Sequence, residues 1–158
     1  MSVNKSRTHV LVLPEDGANR QIANGFQLAV DSRQLQVLVE AGGWMKVLDC
    51  FETDHIWEMQ RSTNRFMVLL IDLDGKQERQ WFALTKIPRD LAERVFVLST
   101  STEPEGLKND LGSYEAIGRA LAKDCRDGTE LTWSHGLLQH NAEEVRRLRE
   151  RVRPILFP

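Results

Sequence analysis

One run of the chain constrains its fold more than any other, the apolar stretch Phe-Met-Val-Leu-Leu-Ile at positions 66–71. Six consecutive apolar residues are typical of a central parallel strand, because both faces of such a strand are buried. The tetrapeptide Asp72-Leu73-Asp74-Gly75 follows at once, and its Asp and Gly residues favour a turn. The sequence therefore predicts an α/β protein in which this strand carries two carboxylates to one edge of a sheet.

The rest of the chain alternates short apolar runs with helical patterns, as in a three-layer α/β sandwich with a mainly parallel central sheet. Strands are predicted at 9–13, 35–39, 65–71 and 94–98, helices at 19–30, 44–59, 77–84, 113–125 and 142–152, and a polar loop at 99–105. Ser113 is a candidate N-cap, and the apolar tail 154–158 is expected to dock on the body. We expect a single domain over 1–158, made of a core at 8–108 and a helical extension at 109–158.

Composition narrows the classes of function. The 158 residues carry a net charge of −2, so nucleic acid could be bound only by a local basic patch. No apolar run approaches the roughly 20 residues that span a bilayer, and positions 1–7 contain no apolar stretch, so a cytoplasmic protein without a membrane partner is expected. Cys50 and Cys125 lack paired spacing, which predicts reduced thiols.

Acidic turns follow three of the predicted strands, at positions 15–17, 72–75 and 103–105. In an open parallel sheet the carboxyl ends of the strands meet at one edge, and sites form in the crevice outside that edge. All three turns are therefore expected to converge. This convergence indicates a functional site more strongly than any one of the turns.

The residues of these turns suit a divalent cation. If the strand continues through Asp72 and Asp74, both side chains point to the same side, where two carboxylates repel each other unless a cation or proton intervenes. Oxygen ligands of this kind suit Mg²⁺ or Mn²⁺. Glu15 could be a third ligand, or could exchange a proton with a reacting oxygen. The alternatives are a plain turn at 72–75 and, for Glu15 with Asp16, an acidic helix start.

An apolar strand that ends in Glu15, a helix, and a later strand that ends in Asp72-x-Asp74 together resemble the Toprim domain. This domain is shared by topoisomerases, bacterial primases and nucleases related to the overcoming-lysogenisation-defect family. The resemblance covers roughly 9–108. It implies that Asp72 and Asp74 bind Mg²⁺ and that Glu15 is an acid/base residue or a further ligand.

The resemblance also has departures. The turn at Glu103 and Glu105 looks like the acidic turn of primase-type members and could supply an accessory ligand. However, Asp16 separates the Glu and Gly that are adjacent in the usual motif, Tyr114 is the single tyrosine and begins a helix, and no primase zinc module is present.

These departures disfavour a topoisomerase and a primase. The resemblance therefore implies a metal-dependent nuclease, with a role in mobile-element or phage defence and DNA or RNA as substrate. The alternative is a non-catalytic metal-binding or regulatory subunit that partners an ATPase. A homo-oligomer is compatible with both.

A third possibility rests on the same tetrapeptide. Haloacid-dehalogenase-type phosphatases also place Asp-x-Asp-Gly after an apolar strand and use the first Asp as nucleophile. Their motif lies near the N-terminus and continues with Thr or Val, whereas here Lys76 follows Gly75 at mid-chain.

Basic residues beyond the three turns are candidates for phosphate contact. Arg20, Lys76 and Lys108 each follow one acidic turn, and Lys76 is also a candidate catalytic residue that stabilises the phosphate. The arginines at 146–153 alternate with glutamates, which favours a salt-bridged helix face over a nucleic-acid grip. His135 and His140 have no cysteine nearby, so a zinc site is not expected. Neither Ser99 nor Ser101 forms a nucleophile elbow.

Overall fold

The computed structural model describes residues 2–31 and 33–158, and it contains one four-stranded sheet in which all strands are parallel. The strands are β1 (His9–Pro14), β2 (Leu35–Val37), β3 (Arg65–Asp72) and β4 (Val95–Thr100), and their order across the sheet is β2-β1-β3-β4. The predicted α/β class and the central position of the apolar strand β3 are confirmed.

Helices cover both faces of the sheet. They are α1 (Gly17–Leu28), α2 (Trp44–Cys50), α3 (Ile56–Arg61), α4 (Glu78–Thr85), α5 (Glu105–Leu111), α6 (Tyr114–Asp127), α7 (Ala142–Arg151) and α8 (Arg153–Leu156). Because side chains alternate along a strand, Val68 packs with α1, α6 and α7 on one face, while Met67 and Leu69 pack with α2 and α3 on the other. The predicted three-layer sandwich is confirmed.

Two predicted elements differ from the structure in detail, for physical reasons. The helix predicted at 44–59 contains a π turn at Phe51–His55, whose additional residue lets both Phe51 and Met59 be fully buried. The polar loop predicted from residue 99 begins two residues later in the structure, since Ser99 and Thr100 belong to β4 and pair with the end of β3. Their hydroxyl groups are buried but hydrogen-bonded, so polarity did not mark a loop.

The C-terminal helices complete the sheet. Strand β4 lies at an edge, and side chains of the segment before α7 and of α7 itself satisfy its backbone. Asn141 accepts from the N–H of Ser99 (3.0 Å) and donates to its carbonyl (2.8 Å), and Glu144 accepts from the N–H of Val97 (2.7 Å). This helix therefore protects an edge that would otherwise offer unpaired hydrogen-bonding groups.

The segment 129–138 is organised by one buried carboxylate. Asp124 accepts hydrogen bonds from the hydroxyl of Thr129 (2.6 Å) and from the backbone N–H groups of Leu131, Thr132 and Trp133 (3.2, 2.7 and 3.2 Å). Burial tends to raise the pKa of Asp124, but these hydrogen bonds outweigh it and lower the pKa. They hold Trp133 in the core.

Other expectations concern the surface and the thiols. Arg146 pairs with Glu143 and Glu150, which confirms a salt-bridged face on α7. Cys50 and Cys125 are free thiols. Among residues 2–31 and 33–158, no helix has the length and apolar character that crossing a membrane requires.

Helices α1 and α6 approach each other at two glycines. A Cβ atom at Gly118 would overlap the carbonyl oxygen of Ile22 and lie 2.7 Å from the backbone nitrogen of Phe26. A Cβ atom at Gly25 would similarly overlap the backbone of Glu115. The missing side chains therefore let two helix backbones touch, and this contact sets the position of α1 above the sheet.

Candidate metal centre

Three carboxylates meet where the strand order of the sheet reverses. From β1 the chain continues to β2 on one side, while β3 lies on the other, so a crevice opens between the carboxyl ends of β1 and β3. Glu15 and Asp16 follow β1, and Asp72 is the last residue of β3. One oxygen from each of these carboxylates lies within 4.8 Å of the others. We call these three residues the carboxylate cluster.

Glu15 and Asp16 are held by the start of α1 and by β3. The backbone N–H of Glu15 donates to the carbonyl of Leu70 (2.9 Å), and its Oε2 accepts from the N–H of Asp72 (2.6 Å). Asp16 is the N-cap of α1, and its Oδ1 accepts from the backbone N–H of Asn19 (2.9 Å). The helix start that the sequence offered as an alternative to a ligand role is thus real, and it also positions Asp16 in the cluster.

Asp72 is buried, with 7% of its surface exposed. Its Oδ1 accepts from the amide of Asn19 (3.0 Å) and from the hydroxyl of Thr100 (3.2 Å). The same Asn19 amide lies 3.1 Å from Oδ1 of Asp16. In the described part of the chain, no N–H or O–H group donates to Oδ2 of Asp16 or Asp72. Each aspartate therefore has one oxygen fixed by the protein and a second one available to a ligand.

The cluster is electrostatically strained. Burial, together with the charges of Asp16 and Glu15, raises the pKa of Asp72 to about 7, against the hydrogen bond from Asn19. Burial also raises the pKa of Glu15, although the hydrogen bond from the Asp72 N–H opposes this rise. Like charges this close require a proton or a cation between them. The free oxygens and the raised pKa values are what a hard divalent cation would relieve.

Divalent-cation affinity should therefore depend on pH. Below about pH 7 a cation must displace the proton of Asp72, so we expect affinity to fall up to about 10-fold per pH unit, and to level off above this range. Calorimetric titration of Mn²⁺ from about pH 6 to pH 8, in buffers of different ionisation enthalpy, measures both the affinity and the proton released. A pH-independent affinity without proton release would contradict a site at Asp72.

The premise for pairing Asp74 with Asp72 was wrong. Strand β3 ends at Asp72, and Leu73 turns into the core. Asp74 then takes a left-handed conformation (φ 53°), is exposed, and lies 4.0 Å from the guanidinium of Arg79. It borders the same cleft but is not part of the carboxylate cluster.

The cluster opens into a polar cleft of about 280 Å³. Glu103 and Glu105 line it, as the convergence of the three turns predicts, but both are exposed and lie outside the compact cluster. Tyr114, the first residue of α6, also lines the cleft. Burial raises the pKa of its hydroxyl, and the surrounding carboxylates raise it further, so Tyr114 stays a neutral donor.

The cation that lines the cleft is one the sequence did not single out. Arg79 lies in the first turns of α4, donates to the carbonyl of Asp72 (3.4 Å), and has its guanidinium 4.9 Å from the ring centroid of Trp44. The turn at 72–75 reverses the chain, and this brings the start of α4 back over the sheet edge. The sequence feature that could have identified Arg79 is its position shortly after the turn that ends β3.

The predicted phosphate contacts are placed differently. Arg20 is paired with Glu40 (2.8 Å), and the ammonium of Lys108 lies 5.2 Å from the ring centroid of Tyr114. Lys76 is exposed and borders a second depression next to the cleft. Of these three residues, none lines the acidic cleft itself.

A buried Ser–His contact has the geometry of a structural pair. Ser99 Oγ lies 2.8 Å from both the Gln80 Oε1 and the His140 Nε2. Because the Gln80 Nε2 donates to the Val97 carbonyl (3.0 Å), its Oε1 must accept the Ser99 proton. His140 therefore donates to Ser99 rather than activating it, in agreement with the absence of a nucleophile elbow in the sequence.

Comparisons with known proteins are sparse. No protein-family model matches the chain, and no solved structure matches it significantly. The UPF0215 protein MJ1150 of Methanocaldococcus jannaschii is 26% identical over 81 residues, which is 51% of this chain and 44% of that protein. The chain thus spans less than half the length of this relative.

Proposed function

We propose that the chain is a divalent-metal-dependent enzyme that acts on phosphodiester bonds of nucleic acid, as a nuclease of the Toprim type. The observation that carries this proposal is the convergence of Glu15, Asp16 and Asp72 at the switch point between β1 and β3. The free oxygens of Asp16 and Asp72 and the raised pKa values of Glu15 and Asp72 support a cation site, and phosphodiester cleavage is a common use of such carboxylate sites.

The donor set fits Mg²⁺ or Mn²⁺, since all its atoms are carboxylate oxygens. Glu15, Asp16 and Asp72 would hold the cation, while Asp74, Glu103 and Glu105 lie further out along the cleft. A cation bound there would neutralise and orient the scissile phosphate.

The residues of the chain supply the remaining requirements. Glu15 is the candidate acid/base residue, because burial raises its pKa above the usual value of a carboxyl group and so favours proton exchange with a reacting oxygen. Arg79 would offset the repulsion between a phosphate and the acidic cleft, and the Tyr114 hydroxyl can donate to a phosphate oxygen. Lys76 follows Asp74 closely in sequence, so it could approach a bound nucleic-acid strand from the rim of the cleft.

The Toprim resemblance remains part of the proposal. The placement of Glu15 after β1 and of Asp72 at the end of β3 supports it, whereas the exposed position of Asp74 departs from it. Asp16 provides the second aspartate that the motif assigns to Asp74. The phosphatase alternative gains no support, because the pairing of Asp74 with Arg79 leaves the second Asp of that motif outside the cluster.

The second candidate is a metal-binding regulatory subunit that partners a protein such as an ATPase. One observation favours it. Trp81 and Leu84 lie one turn apart on α4 and are 63% and 38% exposed. Exposed large apolar residues on one helix face are typical of protein contact surfaces.

A cleavage assay tests the first candidate against the second. Purified protein is incubated with single- and double-stranded DNA and RNA, with Mg²⁺, Mn²⁺ or chelator. We expect cation-dependent cleavage that falls at least about 100-fold in Asp72→Asn, since losing a charged ligand should exceed the roughly 10–100-fold cost of losing a ligand's hydrogen-bond partner. Asp49→Asn, at an exposed acid on α2, is the matched control.

The outcomes separate the three possibilities. Stabilisation by Mn²⁺ without cleavage of any of the four substrates would favour the regulatory subunit. An aspartyl-phosphate trapped at Asp72 after treatment with a phosphate ester would establish the phosphatase. Cleavage that persists in chelator or in Asp72→Asn would contradict the proposed enzyme.

A further inference from the structure

An aromatic shelf borders the acidic cleft. It is formed by Trp44, Lys76, Arg79 and Phe82, which line a shallow depression of about 400 Å³ together with Glu78. The rings of Trp44 and Phe82 meet edge to face, with centroids 5.8 Å apart and an interplanar angle of 76°. Arg79 belongs both to the shelf and to the wall of the cleft, so the two depressions are contiguous.

The shelf is rigid at one end and open at the other. Trp44 is partly buried against the core and has the Arg79 guanidinium over its ring, so its position is fixed. Phe82 is 40% exposed although it is a large apolar side chain. Packing explains Trp44, but it does not explain why an aromatic ring stands open to solvent beside a polar cleft.

The charges around the shelf are of both signs, but positive charges are in excess. Lys76, Arg79 and Lys86 surround the rings, and the ammonium of Lys86 lies 5.1 Å from the Phe82 centroid. Glu78 also borders the shelf, and Lys86 is 3.5 Å from Glu52. The shelf nevertheless carries more cations than the neighbouring cleft, where Arg79 faces six carboxylates. A polyanion is therefore attracted on the shelf side of the metal centre.

We propose that the aromatic shelf binds a base of single-stranded nucleic acid, next to the phosphate that the metal centre would receive. This inference rests on the proposed function and specifies its substrate class. An exposed ring stacks on any base, and neighbouring cations contact the flanking phosphates, which together define sequence-tolerant single-strand sites. In a duplex the base faces are already stacked on their neighbours, so single strands are preferred over duplexes.

Binding of fluorescein-labelled oligothymidylate, followed by anisotropy in chelator, tests the shelf apart from any cleavage. We expect Phe82→Ala to weaken binding about 10-fold or more, and Phe82→Tyr to retain it. Phe82→Leu keeps the apolar volume but removes the stacking face, and should bind like Phe82→Ala. Thermal unfolding verifies that each variant is folded.

The chain offers a matched control at Trp57, which is 61% exposed and has the Arg61 guanidinium 4.4 Å from its ring centroid. This residue belongs to α3 and lines neither the shelf nor the cleft. Trp57→Ala should bind within twofold of the unaltered protein. An equal loss in Trp57→Ala and Phe82→Ala, or none in Phe82→Leu, would overturn the shelf, as would binding of duplex in preference to single strand.

The two proposals fail in different ways. If the protein cleaves nucleic acid but the Phe82 variants bind and cleave normally, the shelf is wrong and the nuclease stands. If oligothymidylate binds through Phe82 but no substrate is cleaved with any cation, the shelf stands and the nuclease is wrong. Absence of binding to any oligonucleotide would overturn the shelf.

Discussion

Asp72→Asn is expected to make the metal-free protein more stable while abolishing its stabilisation by divalent cations. The buried carboxylate has a pKa raised from 3.8 to about 7, so the folded state retains a proton that the unfolded chain releases. Stability from this group is therefore fully present below pH 3.8, falls as pH rises, and is lost above about pH 7. Asparagine has no charge to bury, so it loses no stability as pH rises, and its amide can donate to Asp16 or Glu15.

The size and the pH dependence of this gain are measurable. One pKa unit corresponds to about 1.4 kcal/mol, so the variant should gain at least about 1 kcal/mol near pH 8 and much less near pH 4. Urea unfolding at both pH values gives the difference in the free energy of unfolding. Asp49→Asn should show no such gain. A variant that is less stable than the unaltered protein near pH 8 would mean that Asp72 has a structural role.

The same variant distinguishes the stabilisation that comes from cation binding from the stabilisation that comes from protonation of Asp72. Ligands that bind only the folded state raise its melting temperature, so Mg²⁺ or Mn²⁺ should stabilise the unaltered protein. In Asp72→Asn this shift should disappear. Equal shifts in both proteins would place the cation outside the carboxylate cluster.

Gly118→Ala is expected to have the larger effect on folding. The new methyl group would overlap the Ile22 carbonyl and lie 2.7 Å from the Phe26 nitrogen, and these backbone atoms can give way only if α1 moves. Overpacking of this kind should cost about 3 kcal/mol, more than the roughly 1 kcal/mol that alanine gains over glycine in a helix. The melting temperature should fall by about 10 °C.

The effect should also reach the metal centre, because α1 carries the N-cap Asp16 and the Asn19 that holds Asp72. We therefore expect weaker Mn²⁺ binding in folded Gly118→Ala. Gly136→Ala is the control, since its added methyl group would meet no atom within 4 Å and its φ is not in the left-handed region. Equal stability of the two variants would show that the helices are not in close contact.

The sequence was sufficient to predict the three layers of the fold and the edge of the sheet at which the carboxylate cluster lies. The run at 66–71 identified the central strand, since an uninterrupted apolar segment of this length is buried on both faces. The parallel arrangement then required Glu15 and Asp72 to lie at the same edge, as they do. These inferences depend on local pattern and on the common direction of the strands.

The details of the cluster depend on turns, which local pattern does not specify. A strand continued by two residues would have put Asp74 beside Asp72, but the left-handed turn at Asp74 sends it to the rim. Asp16 entered the cluster because its role as N-cap turns its carboxylate toward the first turn of α1, where the Asn19 amide contacts both Asp16 and Asp72. Arg79 became a cation of the cleft because the turn at 72–75 brings the start of α4 close enough for Arg79 to donate to the carbonyl of Asp72.

The local sequence pattern also did not predict which polar groups are buried or which glycines lie at a helix contact. Ser99 and Thr100 resembled a loop, yet their partners Gln80 and Asp72 lie on other elements and make a polar strand end stable. The contact at Gly25 and Gly118 requires the relative placement of two helices that are far apart in sequence. An isolated glycine within a helical pattern was the signal at both positions.

Calorimetric titration of Mn²⁺ near pH 8, into the unaltered protein and into Asp72→Asn and Asp49→Asn, tests the metal centre most directly. If the carboxylate cluster is a cation site, the unaltered protein and Asp49→Asn bind one Mn²⁺ per chain with similar affinity, and Asp72→Asn shows no saturable heat. Absence of saturable binding to the unaltered protein, or equal binding to Asp72→Asn, would contradict the site.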